Sequence, residues 1–424
     1  MIRERKLLKT ALFSALLVSL TACSLESSRI DATSGEKELF AAFASGVELA
    51  PISFNYRDAA QLTCLDQAGM DIWGVGQDAN KARIAYGTMT LSQLKVAQSL
   101  GLKINYLSNV KLENTVDSRY HNYAETLAEL NSLAENTPNI AHLVDIGDSW
   151  QKTQKEADRD ICALRIGKGD LDRKPAVLFL GEHHAREIAS SEFVLMLAKY
   201  LVENYGKDPD VTAAVEGRDV WLVPVVNPDG LEVAFRGSNW RKNTNTLYGG
   251  GIIGNLSQGA GVDLNRNYSF SWNKSGGSKV PSAETFRGPK PFSEPETQAI
   301  RDLVAKRKPI FLMSYHSFGR EILWPWGYTD DPPKDKRLPA IGKKLAVLAG
   351  YRGEQACDLY VHGGILNDWA YGELNLLPFT TEIGGPGDGF DPPYERMDKF
   401  WKDNLPGAMY LLKIADNPDQ VFSK

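Results

Sequence analysis

Two histidines and two glutamates are the residues best placed to do chemistry. His184-Ala185-Arg186-Glu187 sets an imidazole and a carboxylate three residues apart on a tight turn, just past the apolar run Pro175–Leu180. His316 directly follows the apolar run Ile310–Tyr315. A catalytic zinc takes three protein ligands of this type plus a water, at roughly 2.0–2.2 Å. His184, Glu187 and His316 are therefore candidate ligands for one Zn2+. Bound zinc lowers the pKa of its water to about 7, and a carboxylate within reach can take the proton and pass it to a leaving amine. Glu382, directly after Leu377–Thr381, is the fourth candidate, a carboxylate at the end of an apolar run. Alone the His-x-x-Glu pair is weak, since six histidines give about 0.4 such pairs by chance at the usual abundance of Glu. The remaining histidines, His121, His142, His183 and His362, have no partner at ligand spacing, and His183 would have to face away from its neighbour. Cys64, Cys162 and Cys357 lack the spacing of a cysteine zinc site, and Cys162 reads as a small buried hydrophobe. The Gly249–Gly261 run has no following Lys-Ser/Thr, so it is a loop near the cleft and not a phosphate cradle.

These residues need a scaffold that gathers strand ends. From Tyr120 the pattern alternates: Asn122–Asn136 helix, Pro175–Leu180 strand, Ala189–Tyr205 helix, Val220–Val226 strand, Pro295–Lys306 helix, then strands Ile310–Tyr315 and Leu377–Thr381. That order predicts an α/β sheet. All four candidates then fall at carboxyl ends of strands, where open α/β sheets bind ligands. Upstream, Met70–Val75, Ala82–Thr88 and Leu102–Leu107 alternate like strands around an amphipathic helix at Leu91–Leu100. This predicts a small α+β unit within residues 24–115, with a polar tether to about residue 55 and a linker at Ser108–Ser118. A removed prodomain and a permanent module both stay open. Residues 116–424 form the main domain, and 424 residues suffice for both cores. With 43% hydrophobic and 24% charged residues the chain is neither disordered nor polytopic, and a net charge of -5 leaves no nucleic-acid footprint.

After the ligand pair come, in order, Asn227-Pro228-Asp229-Gly230, Trp240-Arg241-Lys242, Gly261-Val262-Asp263-Leu264-Asn265-Arg266-Asn267, Phe286-Arg287-Gly288-Pro289, Phe292-Ser293-Glu294-Pro295-Glu296-Thr297, His316-Ser317 and Phe379-Thr380-Thr381-Glu382. With His184-Ala185-Arg186-Glu187, this series resembles the zinc carboxypeptidase family of carboxypeptidases A, B and T, over roughly Tyr120–Ile414. The resemblance implies an α/β/α sandwich on an eight-stranded mixed sheet, one zinc, and the C-termini of peptides or proteins as substrate. It makes Glu382 the general base, Asp263 the carboxylate that orients His184, and Arg241 the group that polarises the scissile carbonyl and stabilises the oxyanion. Asn265 and Arg266 become the pair that binds the terminal carboxylate, and Arg186 an auxiliary binding residue. Counting back without a gap from Asp368-Trp369, Tyr360 matches the mobile tyrosine that closes over the terminus. Two positions depart from the pattern. Phe318 replaces a tyrosine common in the family, and Asn367 occupies the base of the specificity pocket. An amide there predicts neutral side chains of small or medium size over Lys or Arg, unless a one-residue shift turns Asp368 into the pocket.

Residues 1–23 read as a targeting signal: Arg3, Arg5, Lys6 and Lys9 precede the apolar run Ala11–Leu20. Leu20-Thr21-Ala22-Cys23 resembles the lipobox of bacterial lipoproteins, so Cys23 is the expected lipidated residue. The expected location is the cell envelope, on the periplasmic side of the outer membrane in a Gram-negative host, with the enzyme a monomer. A peptidoglycan peptidase of the same fold and a non-enzymatic peptide-binding lipoprotein are the competing functions. The joint presence of ligands, base and Arg241 speaks against the second.

Overall fold

The computed structural model describes residues 34–47, 49–77, 81–108, 116–249, 252–253, 256–257 and 259–423. Cys23 and the targeting segment lie outside them, as does most of the expected linker.

The N-terminal unit is an antiparallel sheet of β1 (Ala50–Asn55), β2 (Asp71–Gln77), β3 (Arg83–Met89) and β4 (Ile104–Tyr106) in the order β2-β3-β1-β4. Helices Ser34–Ala44, Ala59–Gln67 and Leu91–Ser99 accompany it. Ile52, Phe54, Leu62, Leu65 and Leu94 share its core. The structure corrects the tether expected up to residue 55. Residues 34–55 hold a helix and the inner strand β1, and the helix Ser34–Ala44 docks through the buried Leu39 and the partly buried Phe43. Asp58 starts the unforeseen helix Ala59–Gln67 by accepting from the Gln61 amide, an N-cap.

The main domain carries β5 (Ala141–Asp148), β6 (Asp160–Ile166), β7 (Ala176–Leu180), β8 (Asp219–Val223), the two-residue pair β9 (Ile252–Ile253) and β10 (Leu256–Ser257), then β11 (Phe311–Ser317), β12 (Glu321–Trp324), β13 (Arg352–Gln355) and β14 (Leu377–Ile383). Eight of these form one mixed sheet, β13-β12-β14-β11-β7-β8-β6-β5. The central four, β14-β11-β7-β8, run parallel. Their side chains divide between two cores, as strands buried on both faces require. Val177, Phe179, Met313 and Phe379 pack on one face with helices Ile188–Asn204, Arg337–Ala349 and Met397–Ile414. Leu178, Leu180 and Leu312 pack on the other with helices Pro295–Arg307 and Leu366–Leu374. The result is the α/β/α sandwich, with the small α+β unit before it. Because the central strands are parallel, their carboxyl ends at Leu180, Ser317 and Ile383 all lie toward one end of the sheet, and the candidate ligands and Glu382 gather there.

Candidate active site and metal centre

The turn after β7 delivers His184 and Glu187, and β11 delivers His316. One ligand atom from each lies within 4.8 Å of the others, and all three residues are buried. His184 Nδ1 is 2.7 Å from Glu187 Oε1. His316 Nδ1 is 2.8 Å from Glu187 Oε2 and 3.2 Å from His184 Nδ1. The far ring nitrogens are already engaged: His184 Nε2 with Asp263 Oδ1 at 3.2 Å, His316 Nε2 with Ser314 Oγ at 3.1 Å. Two imidazole nitrogens and a carboxylate thus aim lone pairs at one point, an arrangement that a single zinc satisfies.

Glu382 stands beside this centre because β11 and β14 pair in register, His316 against Glu382. Adjacent strands lie about 4.8 Å apart. Burial, then the negative Glu187 and Glu321, push its pKa well above the usual carboxylate range. Glu321 pairs with Glu382 across β12 and is itself held by Arg352. Arg241 is buried and gives Nε and Nη2 to Asp263 at 3.0 and 2.9 Å, while Nη1 lies 4.0 Å from Glu187. Burial works against the Asp263 charge, but Arg241, then Arg266 and His184, hold its pKa well below the usual range.

Across the cavity, Arg266 donates Nη1 to the Asn265 carbonyl and Nη2 to Tyr360 Oη at 2.8 and 2.7 Å. Its Nε is buried and, among the described residues, has no hydrogen-bond partner. Asn265 Oδ1 accepts from the Leu366 amide at 3.0 Å. Asn367 is buried; its Nδ2 donates to Thr380 Oγ1 at 2.9 Å, and its Oδ1 has no partner among the described residues. Asp368 turns away from the cavity, accepting from the Gly327 and Tyr328 amides at 2.9 and 3.0 Å. All the expected residues except Arg186 line the cavity with the ligands or, like Asp263, back it directly.

Arg186 instead meets Asp71 of β2 in a buried pair. Three other N-terminal residues press on the same cleft: Ile72, Trp73 and Gly74 line it, and a Cβ on Gly74 would stand 2.7 Å from the Phe318 carbonyl, so only glycine fits there. Asp66 is buried, within electrostatic reach of Arg266, and burial pushes its pKa up to about 6. The cavity left is about 60 Å³, room for a few waters and not for a peptide. Sequence reasoning missed Asp66, Asp71, Ser314 and the part played by His183. Only Ser314 had a signal, since it lies two residues before His316 and so on the same strand face. Cys162 is half-buried and not the core hydrophobe expected.

The profile of the zinc carboxypeptidase family matches residues 126–407. Carboxypeptidase B of Astacus astacus is 32% identical over 310 residues, 70% of this chain and 97% of that protein. A zinc carboxypeptidase of Saccharothrix mutabilis subsp. capreolus is 29% identical over 288 residues; the match spans 62% of this chain and 62% of that relative, less than two thirds of its length. Among solved structures, carboxypeptidase A from Helicoverpa armigera superposes with a TM-score of 0.69 at 25% identity, over 87% of this chain and 99% of that one. Thrombin-activatable fibrinolysis inhibitor shares the fold, with a TM-score of 0.68 at 21% identity over 88% and 100%. With its ligand trio in place and these relatives, the chain belongs to the zinc carboxypeptidase family and is a zinc metallocarboxypeptidase.

Proposed function

We propose that the chain removes the C-terminal residue of peptides, with Glu382 as base, and that the N-terminal unit keeps the cleft shut until it is displaced. Arg266 carries this reading. A buried guanidinium normally has a carboxylate partner, yet among the described residues none forms an ion pair with it, and its Nε waits without an acceptor. A peptide's free terminal carboxylate supplies what is missing, in the planar geometry that Arg binds best.

His184, Glu187 and His316 would hold the zinc, which when bound would make its water acidic enough to ionise near neutral pH. Glu382 accepts the water's proton as its oxygen attacks the scissile carbonyl, then delivers it to the leaving amine. Arg241, its Nε and Nη2 fixed by Asp263, keeps Nη1 for the oxyanion. Tyr360 and Asn265 border the terminal carboxylate. The side chain being removed enters between Leu323, Leu359 and Ile365 toward Asn367 and His362. The His362 Nδ1–H donates to the Tyr360 carbonyl at 2.5 Å, which leaves Nε2 an acceptor, and Asn367 Oδ1 is a second. A buried acceptor left unpaired costs about 1–3 kcal/mol. The preferred residue is therefore neutral, medium in size and donor-bearing, such as Gln, Asn or Thr.

The shut cleft supports a latent form in which the N-terminal unit is removed or swung away on activation. Cys23, read from the sequence, would tether the enzyme to the envelope; Cys23→Ala is expected to move it to the soluble fraction. The decisive assay uses the chain after limited proteolysis of the N-terminal unit, with free and amidated peptides and muropeptides side by side. Cleavage of free peptides alone is expected. Equal cleavage of amidated peptides points to an endopeptidase, and cleavage confined to muropeptides to a cell-wall enzyme.

A further inference from the structure

His183 lies next to a zinc ligand, is wholly buried, and is not one of the ligand trio. The backbone explains its direction. Gly181 passes so close to its surroundings that a Cβ there would sit 2.6 Å from the Pro224 carbonyl, and Glu182 takes a positive φ of 52°. The chain thereby turns His183 to the sheet face that carries Leu180, Leu312 and Tyr268. There its ring stacks on that of His316, with centroids 5.6 Å apart and planes 20° from parallel.

Between the rings sits Ser314. Its Oγ is 3.1 Å from His316 Nε2 and 3.3 Å from His183 Nδ1, and His183 Nε2 is 2.9 Å from Tyr268 Oη. The direction of every bond follows from the metal end. His316 turns Nδ1 toward His184 and Glu187, so its proton must sit on Nε2, where it is donated to Ser314. The serine hydroxyl proton is then left for His183 Nδ1, and His183 in turn must carry its own proton on Nε2 and donate it to Tyr268. Reversing the chain would put a proton on His316 Nδ1, where a metal cannot bind. All four residues are at most 2% exposed, so no bulk water can substitute for a missing link.

We infer that His183, acting through Ser314 and backed by Tyr268, is a positioning residue that fixes the tautomer and ring orientation of the ligand His316. It does for His316 what Asp263 does for His184, with a neutral relay in place of a carboxylate. Ser314 and His316 share a face because they are two apart on β11, and the pairing of Ser314 with Leu180 brings the end of β7, and with it His183, alongside.

The inference concerns metal retention, so its test reads zinc affinity and not peptide hydrolysis, and its failure would leave the peptidase reading standing. Zinc affinity of the full chain is measured by competition with a chromophoric chelator, alongside the melting temperature of the zinc-free protein. Loss of an outer partner of a ligating histidine typically costs 10–100-fold in affinity. Ser314→Ala and His183→Phe are each expected to weaken zinc binding by about tenfold or more, with Ser314→Thr close to wild type because it keeps the hydroxyl. The Ser314→Ala, His183→Phe double variant should be little weaker than either single one, since both break the same chain. Tyr268→Phe, the mildest change, should give a smaller loss in the same direction. Wild-type affinity in Ser314→Ala would overturn the inference. So would multiplied losses in the double variant, or an effect confined to the melting temperature, either of which would make His183 a packing residue only.

Discussion

Asp71 and Arg186 meet in a buried, two-pronged ion pair, Oδ2 to Nη1 at 2.6 Å and Oδ1 to Nη2 at 2.9 Å. It ties the N-terminal sheet to the very turn that carries two zinc ligands. Removing one partner of a buried pair leaves the other charge uncompensated, at a cost of about 3–5 kcal/mol. In uncut chain, Asp71→Ala should loosen the unit and raise peptide hydrolysis above that of uncut wild type. Progress curves with a free dipeptide check this; an Asp71→Ala chain as slow as wild type would mean that the contact holds nothing shut.

Asp66 makes the same docking pH-dependent. Its pKa is pushed up to about 6 by burial, from an ordinary value of 3.8. When docked it keeps its proton at pH values where the free carboxyl has lost it, so docking takes up a proton between those limits. Its burial is therefore tolerated below the free value and increasingly opposed as pH rises toward 6. Asp71, whose pKa Arg186 lowers against the effect of burial, has the opposite sign and helps docking at all but the lowest pH. The N-terminal unit should be tightest near pH 4 and looser at 7. Asp66→Asn should raise the melting temperature at pH 7, by the equivalent of about 1–3 kcal/mol, and not at pH 4; a gain equal at both values would contradict the assignment.

Glu382→Gln keeps the size of the side chain and removes the base. Turnover should fall about 10²–10⁴-fold while zinc stoichiometry by metal analysis stays at one per chain. Substantial turnover in this variant would move the proton transfer to another residue.

Arg266→Ala should raise KM for peptides with a free C-terminus by the equivalent of about 2–5 kcal/mol, with little effect on the poor hydrolysis of amidated peptides. Steady-state kinetics on matched pairs of substrates reads the difference directly. Equal losses on both would remove Arg266 from carboxylate recognition.

The ligands and the base are legible in the sequence because each lies at or just past the end of a buried apolar run, whereas Arg241, Asp263, Asn265, Arg266, Tyr360 and Asn367 are legible only through the ordered motifs of the family. His316 and Glu382 each lie one residue before the end of β11 and β14, and His184 follows β7, so the runs announce both the parallel strands and what hangs from them. The outer strands are less visible. β12 and β13 begin with Glu321 and Arg352, charges that pair with each other and break the apolar pattern. The latch is not legible at all: Asp71 and Arg186 are 115 residues apart, and nothing local to either demands the other. The helix Ser34–Ala44 escapes for a different reason, since it docks through only Leu39 and the partly buried Phe43, too short an apolar stripe to stand out in a polar stretch. His183 is visible as a histidine but not as a partner of His316, because its direction depends on the strained turn at Gly181-Glu182.

The amide of Asn367 has a consequence for how this enzyme could change over generations. Asn and Asp codons differ by one base, and Thr380 Oγ1, already 2.9 Å from the Asn367 side chain, can donate to a carboxylate as readily as it accepts from an amide. The neighbouring Asp368 offers no alternative route, since its oxygens are committed to the Gly327 and Tyr328 amides. With Asn367 at the floor of the pocket as proposed, a preference for basic C-termini is expected to lie one point mutation away, at one codon. Growth selection on peptides ending in Lys should recover Asn367→Asp ahead of any change at residue 368.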